Sequence, residues 1–170
     1  MSGGEANRPN TPLDGIRVLD LTRVLAGPWA SQVLGDYGAE VIKVERPVTG
    51  DDTRHWGPPW LDEQAGGKTG DSAYFLSANR NKRSITIDLG NPAGAGLLRD
   101  LATKCDVLME NFQVGTMGRF GLGYEDLCKN NPSLIYCSIS AYGQTGSRAD
   151  APGYDAMIQA SGGLMSITGE

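Results

Sequence analysis

The chain has 170 residues, of which 39% are hydrophobic, and its formal net charge is −5. This length allows one hydrophobic core, so the chain forms either a single domain or a piece of a larger one. The negative charge disfavours nucleic acid as a partner, because nucleic-acid-binding proteins usually carry a basic excess. No segment reaches the roughly 20 apolar residues that a membrane-spanning helix needs, so we expect no membrane partner.

The N-terminal residues 1–13 contain neither an apolar run nor a cluster of positive charge. We therefore expect a flexible tail rather than a signal peptide. A cytoplasmic location is the default expectation, with the mitochondrial matrix as the alternative in a eukaryotic cell. The three cysteines, Cys105, Cys128 and Cys137, form no C-x-x-C pair, which argues against a disulfide framework and against a zinc site. We predict reduced cysteines and no metal.

Residues 16–47 predict a strand, a helix and a second strand. The apolar run 16–21 indicates the first strand, and Ala26-Gly27-Pro28 indicates the start of the helix. Gly27 allows a ligand to approach the backbone closely, and Pro28 suits the first helical turn. Such a helix start presents unpaired N–H groups just beyond the carboxyl end of the strand, where open α/β sheets bind ligands. The segment therefore predicts an anion site.

Residues 49–71 form a long excursion rich in Gly, Pro, Asp and Trp. Loops of this length are usually functional or disordered, and Trp56 and Trp60 favour an ordered cover. The sole histidine, His55, lies in this excursion and has no G-x-S-x-G motif to accompany it. We therefore predict a packing role for His55 rather than a part in a catalytic triad.

The remaining elements alternate between strands and helices. Strands are predicted over 84–89, 106–110 and 134–140, and helices over 92–104, 124–129 and 154–160. Asn91 is suited to cap the first of these helices and Pro92 to occupy its first turn. This alternation implies crossover connections, so the predicted fold class is α/β, with a Rossmann-like, mainly parallel sheet and flanking helices.

Polar and basic side chains recur where the predicted strands end. They are Thr22, Arg23, Glu45, Arg46, Asp88 and Asn111. With Arg119, Lys82 and Arg83, the crevice at the strand ends favours a polyanionic ligand. The alternative is that residues 79–84 form only a solvated loop. Neither a P-loop nor a dinucleotide-binding fingerprint is present.

Six motifs in the chain together resemble one family, the class III CoA-transferases. They are DLTRVLAGPWASQVLGDYGAEVIKVERP, GDDTRHWGPP, NRNKRSITIDL, DVLMENFQVGTMGRFGLGYEDL, NPSLIYCSISAYGQTG and PGYDAMIQASGGLMSITG. The resemblance covers nearly the whole chain and keeps the order and spacing of the family. It implies the N-terminal part of the class III CoA-transferase fold, with residues 14–170 as an incomplete CoA-binding α/β domain.

The resemblance also implies contacts to CoA at the positions that match the family's motifs. These are Leu25, Ala26, Arg46, Ile87, Asp88, Leu89, Gly90, Asn111, Phe112, Gln113, Arg119, Ala151, Pro152, Gly153, Tyr154 and Asp155. In this assignment residues 87–90 surround the adenine and residues 151–155 lie near the pantetheine arm. Coenzyme A enters as the substrate thioester.

The activity that the resemblance implies is transfer of CoA between an acyl-CoA thioester and a carboxylic acid, with dicarboxylic acids favoured. The family's nucleophilic aspartate is expected beyond Glu170, so no catalytic residue is assigned in this chain and residues 1–170 alone are expected to be inactive. The family forms interlocked homodimers, which we expect of the full-length protein. Acyl-CoA and a carboxylic acid are the expected substrates.

Two departures from related sequences narrow the activity. Acyl-CoA racemases on this scaffold carry a histidine where this chain has Tyr154, and tyrosine, with a pKa of about 10, is a poor replacement as an acid or base. Leu25 replaces the glutamine of formyl-CoA transferases, which disfavours oxalate or formyl substrates. A racemase or epimerase, and a non-catalytic CoA-binding fragment, are the alternative functions.

Overall fold

The structure is a computed structural model that describes residues 11–62 and 68–169. Most of the predicted N-terminal tail, residues 1–10, and part of the excursion, residues 63–67, lie outside the described residues. Glu170 also lies outside them.

Among the described residues, the central sheet has five strands, all parallel. They are β1 (Arg17–Asp20), β2 (Glu40–Glu45), β5 (Lys82–Thr86), β6 (Val107–Glu110) and β7 (Ile135–Ser138), and a separate antiparallel pair is formed by β3 (Trp60–Asp62) and β4 (Lys68–Ser72). The order in the central sheet is β5-β2-β1-β6-β7. The prediction of a parallel α/β fold is confirmed.

Helices lie between the strands, and one more follows the last strand of the described residues. They are α1 (Ala26–Asp36), α2 (Ala73–Ser77), α3 (Pro92–Ala102), α4 (Thr116–Arg119), α5 (Tyr124–Leu127) and α6 (Asp155–Ser161), with 3₁₀ turns at Asp52–His55 and Leu164–Ser166. The predicted start of α3 is confirmed, because the Asn91 side chain accepts a hydrogen bond from the Ala93 N–H and Pro92 occupies the first turn. In the described parts of the chain, no helix is long and apolar enough to cross a membrane.

Apolar side chains pack on both faces of the sheet. On one face, Leu19, Leu108 and Val44 contact a cluster that includes Leu98 of α3. On the other face, Val18, Val41 and Met109 pack against Ala30 and Leu34 of α1. Each such side chain that is fully buried contributes about 1.5–3 kcal/mol to folding.

Two sequence predictions of local structure are corrected. The strand predicted over 84–89 lies earlier, because β5 pairs with β2 from Val41–Lys82 through Glu45–Thr86. The chain leaves the sheet after Thr86, so residues 87–90 follow β5 and do not extend this strand. In the excursion, the β3–β4 hairpin was not predicted, because neither strand alternates apolar and polar residues. The short helix α2, which follows it, was not predicted either.

Candidate functional site

The site lies at the point where the order of the strands reverses. The chain runs outward from β1 to β2 and β5, and then returns to the other side of β1 with β6. A crevice opens at such a point beyond the carboxyl ends of the two strands. Here the Asn111 amide holds its two sides together: Oδ1 accepts from the Arg23 N–H at 2.8 Å, and Nδ2 donates to the Arg23 carbonyl at 2.8 Å.

Two cavities meet at this crevice. The first, which we call the narrow cavity, has a volume of about 160 Å³ and is lined mainly by Leu21, Val44, Ile87, Leu89, Phe112 and Phe120, with Arg23 and Arg46 among its polar residues. The second, which we call the open cleft, has about 770 Å³ and runs from Ala26 and residues 111–114 to residues 151–155 and Ile158. Phe112 lines both.

The two cavities contain most of the residues that the sequence assigned to CoA. The narrow cavity brings together Arg46, Ile87, Asp88, Leu89, Gly90 and Phe112. The open cleft brings together Ala26, Asn111, Phe112, Gln113, Ala151, Pro152, Gly153, Tyr154 and Asp155. Leu25 and Arg119 line neither cavity. The Arg119 guanidinium instead donates to the Thr116 hydroxyl in its own helix, at 2.9 Å.

The start of α1 packs directly onto Thr22, two residues after the end of β1. A Cβ atom added at Gly27 would lie 2.3 Å from the Thr22 Cβ, so the glycine is required by helix–strand packing. This differs from the predicted reason for Gly27, which was close approach of a ligand. The Thr22 side chain occupies the space in which a Gly27 Cβ would lie.

A buried polar cluster under α1 accounts for Lys82. The Asp20 carboxylate is fully buried and accepts hydrogen bonds from the Ser31 hydroxyl at 2.5 Å and from Lys82 Nζ at 3.1 Å. Lys82 also donates to the Pro28 carbonyl at 2.8 Å. Burial lowers the pKa of Lys82, and the charge of Asp20 opposes that change. Lys82 is therefore neither a ligand contact in the crevice nor part of a solvated loop, as the two sequence-based interpretations had it.

Arg83 lies away from the crevice. Its guanidinium is exposed and pairs with Glu40, the first residue of β2, at 2.9 Å. Arg83 lies near the amino end of β5, whereas the two cavities lie at the carboxyl ends of the strands. The prediction that Arg83 lines the crevice is wrong.

Sequence reasoning missed the buried pair of Lys43 and Asp51. Lys43 Nζ donates to Asp51 Oδ2 at 2.9 Å and to the Thr22 carbonyl at 2.9 Å. Asp51 Oδ1 accepts from the Val24 N–H at 3.3 Å, and Val24 has a φ of 70°, which β-branched residues rarely adopt. The pair thus joins β2 to the two loops that border the narrow cavity. The signal was a lysine in the middle of an apolar strand.

Glu45 and Arg54 form a second ion pair nearby. Arg54 donates to both carboxylate oxygens of Glu45, at 2.8 and 2.6 Å. Burial alone would raise the pKa of Glu45, but hydrogen bonds from Arg54, Ser84 and the Asp51 N–H outweigh it and lower the pKa to about 2. The carboxylate therefore stays ionised and holds the excursion against the sheet.

Arg23 lines the narrow cavity and lies beside Phe112, the residue that both cavities share. Its guanidinium carbon lies 5.0 Å from the centre of the Phe112 ring, and Nη1 is 3.8 Å from Asp52 Oδ2. Asp52 in turn accepts a hydrogen bond from Arg46. Nε of Arg23 is buried and has no hydrogen-bond partner among the described residues. The sequence analysis placed Arg23 among the strand-end residues of a crevice that favours a polyanionic ligand, but not among the CoA contacts that the resemblance implies.

The excursion is an ordered cover where the structure describes it, as predicted. Trp56 packs edge-on against Tyr74, with ring centroids 5.3 Å apart. His55 is exposed, and its Nε2 lies 3.2 Å from the Thr49 carbonyl oxygen, so the predicted packing role is wrong.

Cys105 is buried, and burial raises the pKa of its thiol to about 11, which disfavours a reactive thiolate.

Comparison with known proteins identifies the family. A sequence model described as CoA-transferase family III matches residues 13–170. Together with the parallel sheet and the crevice at its reversal point, this match shows that the chain belongs to CoA-transferase family III.

Individual relatives agree with this membership. The chain is 55% identical over 158 residues to the succinyl-CoA:glutarate CoA-transferase of Mus musculus, covering 93% of this chain and 35% of that protein. It is 55% identical over 159 residues to the succinate–glutarate CoA-transferase of Agrobacterium fabrum, covering 94% of this chain and 40% of that protein. A crystal structure of a CaiB/BaiF family protein from Brucella suis matches with a TM-score of 0.89 and 53% identity, covering 95% of this chain and 42% of that one. The chain thus spans about 35–42% of the length of these relatives.

Proposed function

We propose that this chain supplies the CoA-binding part of an enzyme that moves CoA between an acyl-CoA thioester and a dicarboxylic acid. The observation that carries the proposal is the pair of cavities that meet at Phe112, one narrow and apolar and one long and open, in a chain of this family. CoA has a matching division, since a flat adenosine group is joined through a diphosphate to a long, flexible arm.

CoA is proposed to bind with its adenine in the narrow cavity. Ile87 and Leu89 provide apolar walls there, and the backbone of residues 87–90 provides donors and acceptors for the edge of the base. The pantetheine arm then follows the open cleft past Gln113 to residues 151–155. This orientation delivers the thioester to the end of the cleft where α6 begins.

The transfer step is proposed to use a carboxylate beyond Glu170. That carboxylate attacks the carbonyl carbon of the acyl-CoA and releases the CoA thiolate, leaving an acyl anhydride; the thiolate then forms an aspartyl-CoA thioester and releases the donor acid. The acceptor acid takes the CoA by the same two steps in reverse. Asp155 is not proposed for this role, because it is exposed at the first turn of α6 and accepts a hydrogen bond from Gln159 at 2.7 Å.

The proposed substrates are dicarboxylic acids of four and five carbons. The mouse and Agrobacterium relatives carry names that specify succinate or succinyl-CoA and glutarate. Identity of 55% to both supports the same class for this chain.

Calorimetric titration of this chain with CoA tests the binding part of the proposal. We expect binding, and we expect Phe112→Ala to weaken it about tenfold or more, because the ring lines both cavities. Tyr37→Ala, which removes an exposed ring that lines neither cavity, serves as the matched control. No binding by the unmodified chain would contradict the proposal.

The transfer part is tested with the full-length protein, succinyl-CoA and glutarate. Glutaryl-CoA and free succinate are the expected products, detected by mass spectrometry. Deuterium exchange at the α-carbon of an acyl-CoA in D₂O, without transfer, would instead favour the racemase alternative. CoA binding by the full-length protein with neither activity would favour a non-catalytic binding role.

An interlocked homodimer in the cytoplasm remains part of the proposal for the full-length protein. Light scattering coupled to size-exclusion chromatography tests the dimer, and cell fractionation tests the location.

A further inference from the structure

Hydrogen bonds hold the backbone of Arg23 in place, whereas Nε of its side chain has no hydrogen-bond partner among the described residues. The Asn111 side chain holds both its N–H and its carbonyl, so the residue cannot move far from the junction of the two cavities. Its guanidinium lies over Phe112, the residue that both cavities share. Nε is nevertheless buried without a partner among the described residues, which carries a cost because a buried donor has lost its water.

The guanidinium groups of Arg23 and Arg46 both lie near the carboxylate of Asp52. The carboxylate of Asp52 is 3.8 Å from Nη1 of Arg23, too far for a hydrogen bond, and it also pairs with the exposed Arg46. Two guanidinium groups therefore share one carboxylate at the mouth of the narrow cavity. An incoming anion with several oxygens would give Arg23 the acceptors that Asp52 does not supply.

We propose that Arg23 binds the diphosphate of CoA, an inference that rests on the proposed function. The diphosphate is the part of CoA that joins adenosine to the pantetheine arm. With adenine in the narrow cavity and the arm in the open cleft, it must cross Phe112, where the Arg23 guanidinium lies. The sequence analysis placed Arg23, Lys82 and Arg83 together in the crevice, and the structure pairs Lys82 with Asp20 and Arg83 with Glu40, away from it.

This assignment specifies which part of the ligand Arg23 recognises. CoA and dephospho-CoA both contain the diphosphate, whereas pantetheine contains no phosphate. A diphosphate contact therefore affects the first two ligands equally and leaves the third unchanged. A contact to the 3′-phosphate would affect CoA alone.

The test compares the affinities of CoA, dephospho-CoA and pantetheine for this chain and for Arg23→Gln, by calorimetry or NMR titration. We expect the variant to bind CoA and dephospho-CoA about 10- to 100-fold more weakly, the range for loss of a charged hydrogen bond, and pantetheine with unchanged affinity. Arg23→Lys, which keeps the charge but loses the planar donors, is expected to give a smaller loss. Arg83→Gln, an exposed arginine at the other edge of the sheet, is the matched control and should change no affinity.

A second variant, Asp52→Asn, should raise the affinity for CoA instead of lowering it. Asp52→Asn removes the carboxylate that competes with the ligand, so we expect CoA and dephospho-CoA to bind about 2- to 10-fold more tightly, with pantetheine again unchanged. The titrations of Asp52→Asn test the role of Arg23 even where Arg23→Gln lowers the stability of the chain.

The outcomes separate this inference from the proposed function. Absence of CoA binding by the unmodified chain would overturn both. CoA binding that is normal in the unmodified chain and unchanged in Arg23→Gln would overturn only the role of Arg23. A loss for CoA without a loss for dephospho-CoA would place the contact at the 3′-phosphate and would equally overturn the assignment to the diphosphate.

Discussion

Single buried charges determine how the excursion is attached to the sheet, and Glu45 gives a direct test. Its side chain is 2% exposed, and hydrogen bonds from Arg54, Ser84 and the Asp51 N–H lower its pKa from 4.5 to about 2 despite burial. Because the pKa in the folded chain is the lower one, ionised Glu45 stabilises folding above about pH 4.5. This contribution is lost as the pH falls towards 2, and the shift corresponds to roughly 3 kcal/mol.

We therefore expect Glu45→Gln to lower the free energy of unfolding at pH 7 by roughly 3 kcal/mol and to flatten its pH dependence between pH 5 and pH 2. Urea unfolding at a series of pH values measures both quantities. Glu125→Gln, at an exposed position of α5, is the control and should keep the slope of the unmodified chain. An unchanged slope in Glu45→Gln would show that other carboxylates cause the acid sensitivity.

At the scale of the element, the same substitution should have opposite effects in two helices. A Cβ at Gly27 in α1 would lie 2.3 Å from Thr22, whereas one at Gly96 in α3 meets nothing within 4 Å. We expect Gly27→Ala to destabilise the chain by about 1–3 kcal/mol through overpacking. Gly96→Ala should stabilise it by up to about 1 kcal/mol through helix propensity. Thermal unfolding of both variants is the measurement, and a stabilising Gly27→Ala would refute the close packing of α1 on Thr22.

The elements also show what the sequence could and could not predict. The start of α3 was predictable because Asn91 and Pro92 act locally, through a cap and a fixed φ angle. The central strands were predictable because their apolar runs are buried on both faces. The hairpin of β3 and β4 was not, because its strands are defined by backbone pairing with each other rather than by an apolar face.

The position of the candidate site was predictable in outline from the resemblance to the family. The resemblance assigned sixteen positions, and fourteen of them line the two cavities. Sequence alone did not separate Lys82, which is buried against Asp20, from Arg23, which keeps an unpartnered Nε. Both are cations beside predicted strands, and only the tertiary arrangement shows which charge is already neutralised.

At the scale of the whole molecule, stability and the proposed ligand contact meet at the reversal point of the sheet but depend on different side chains. Asn111 joins the loop after β1 to the loop after β6 through two hydrogen bonds of 2.8 Å. Arg23, which those bonds hold in place, contributes no comparable bond through Nε. Asn111 therefore couples the two halves of the sheet, and Arg23 remains available to a ligand.

This division predicts different effects for variants of the two neighbouring residues. Asn111→Ala should lower the free energy of unfolding by about 1–3 kcal/mol, because it leaves the Arg23 N–H and carbonyl without their partner, and it should also weaken CoA binding by releasing the loop. Arg23→Gln should weaken CoA binding while changing the free energy of unfolding by less than about 0.5 kcal/mol. Urea unfolding and CoA titration of both variants measure the four quantities. A large loss of stability in Arg23→Gln would mean that its guanidinium supports the fold, and the separation of the two roles would then fail.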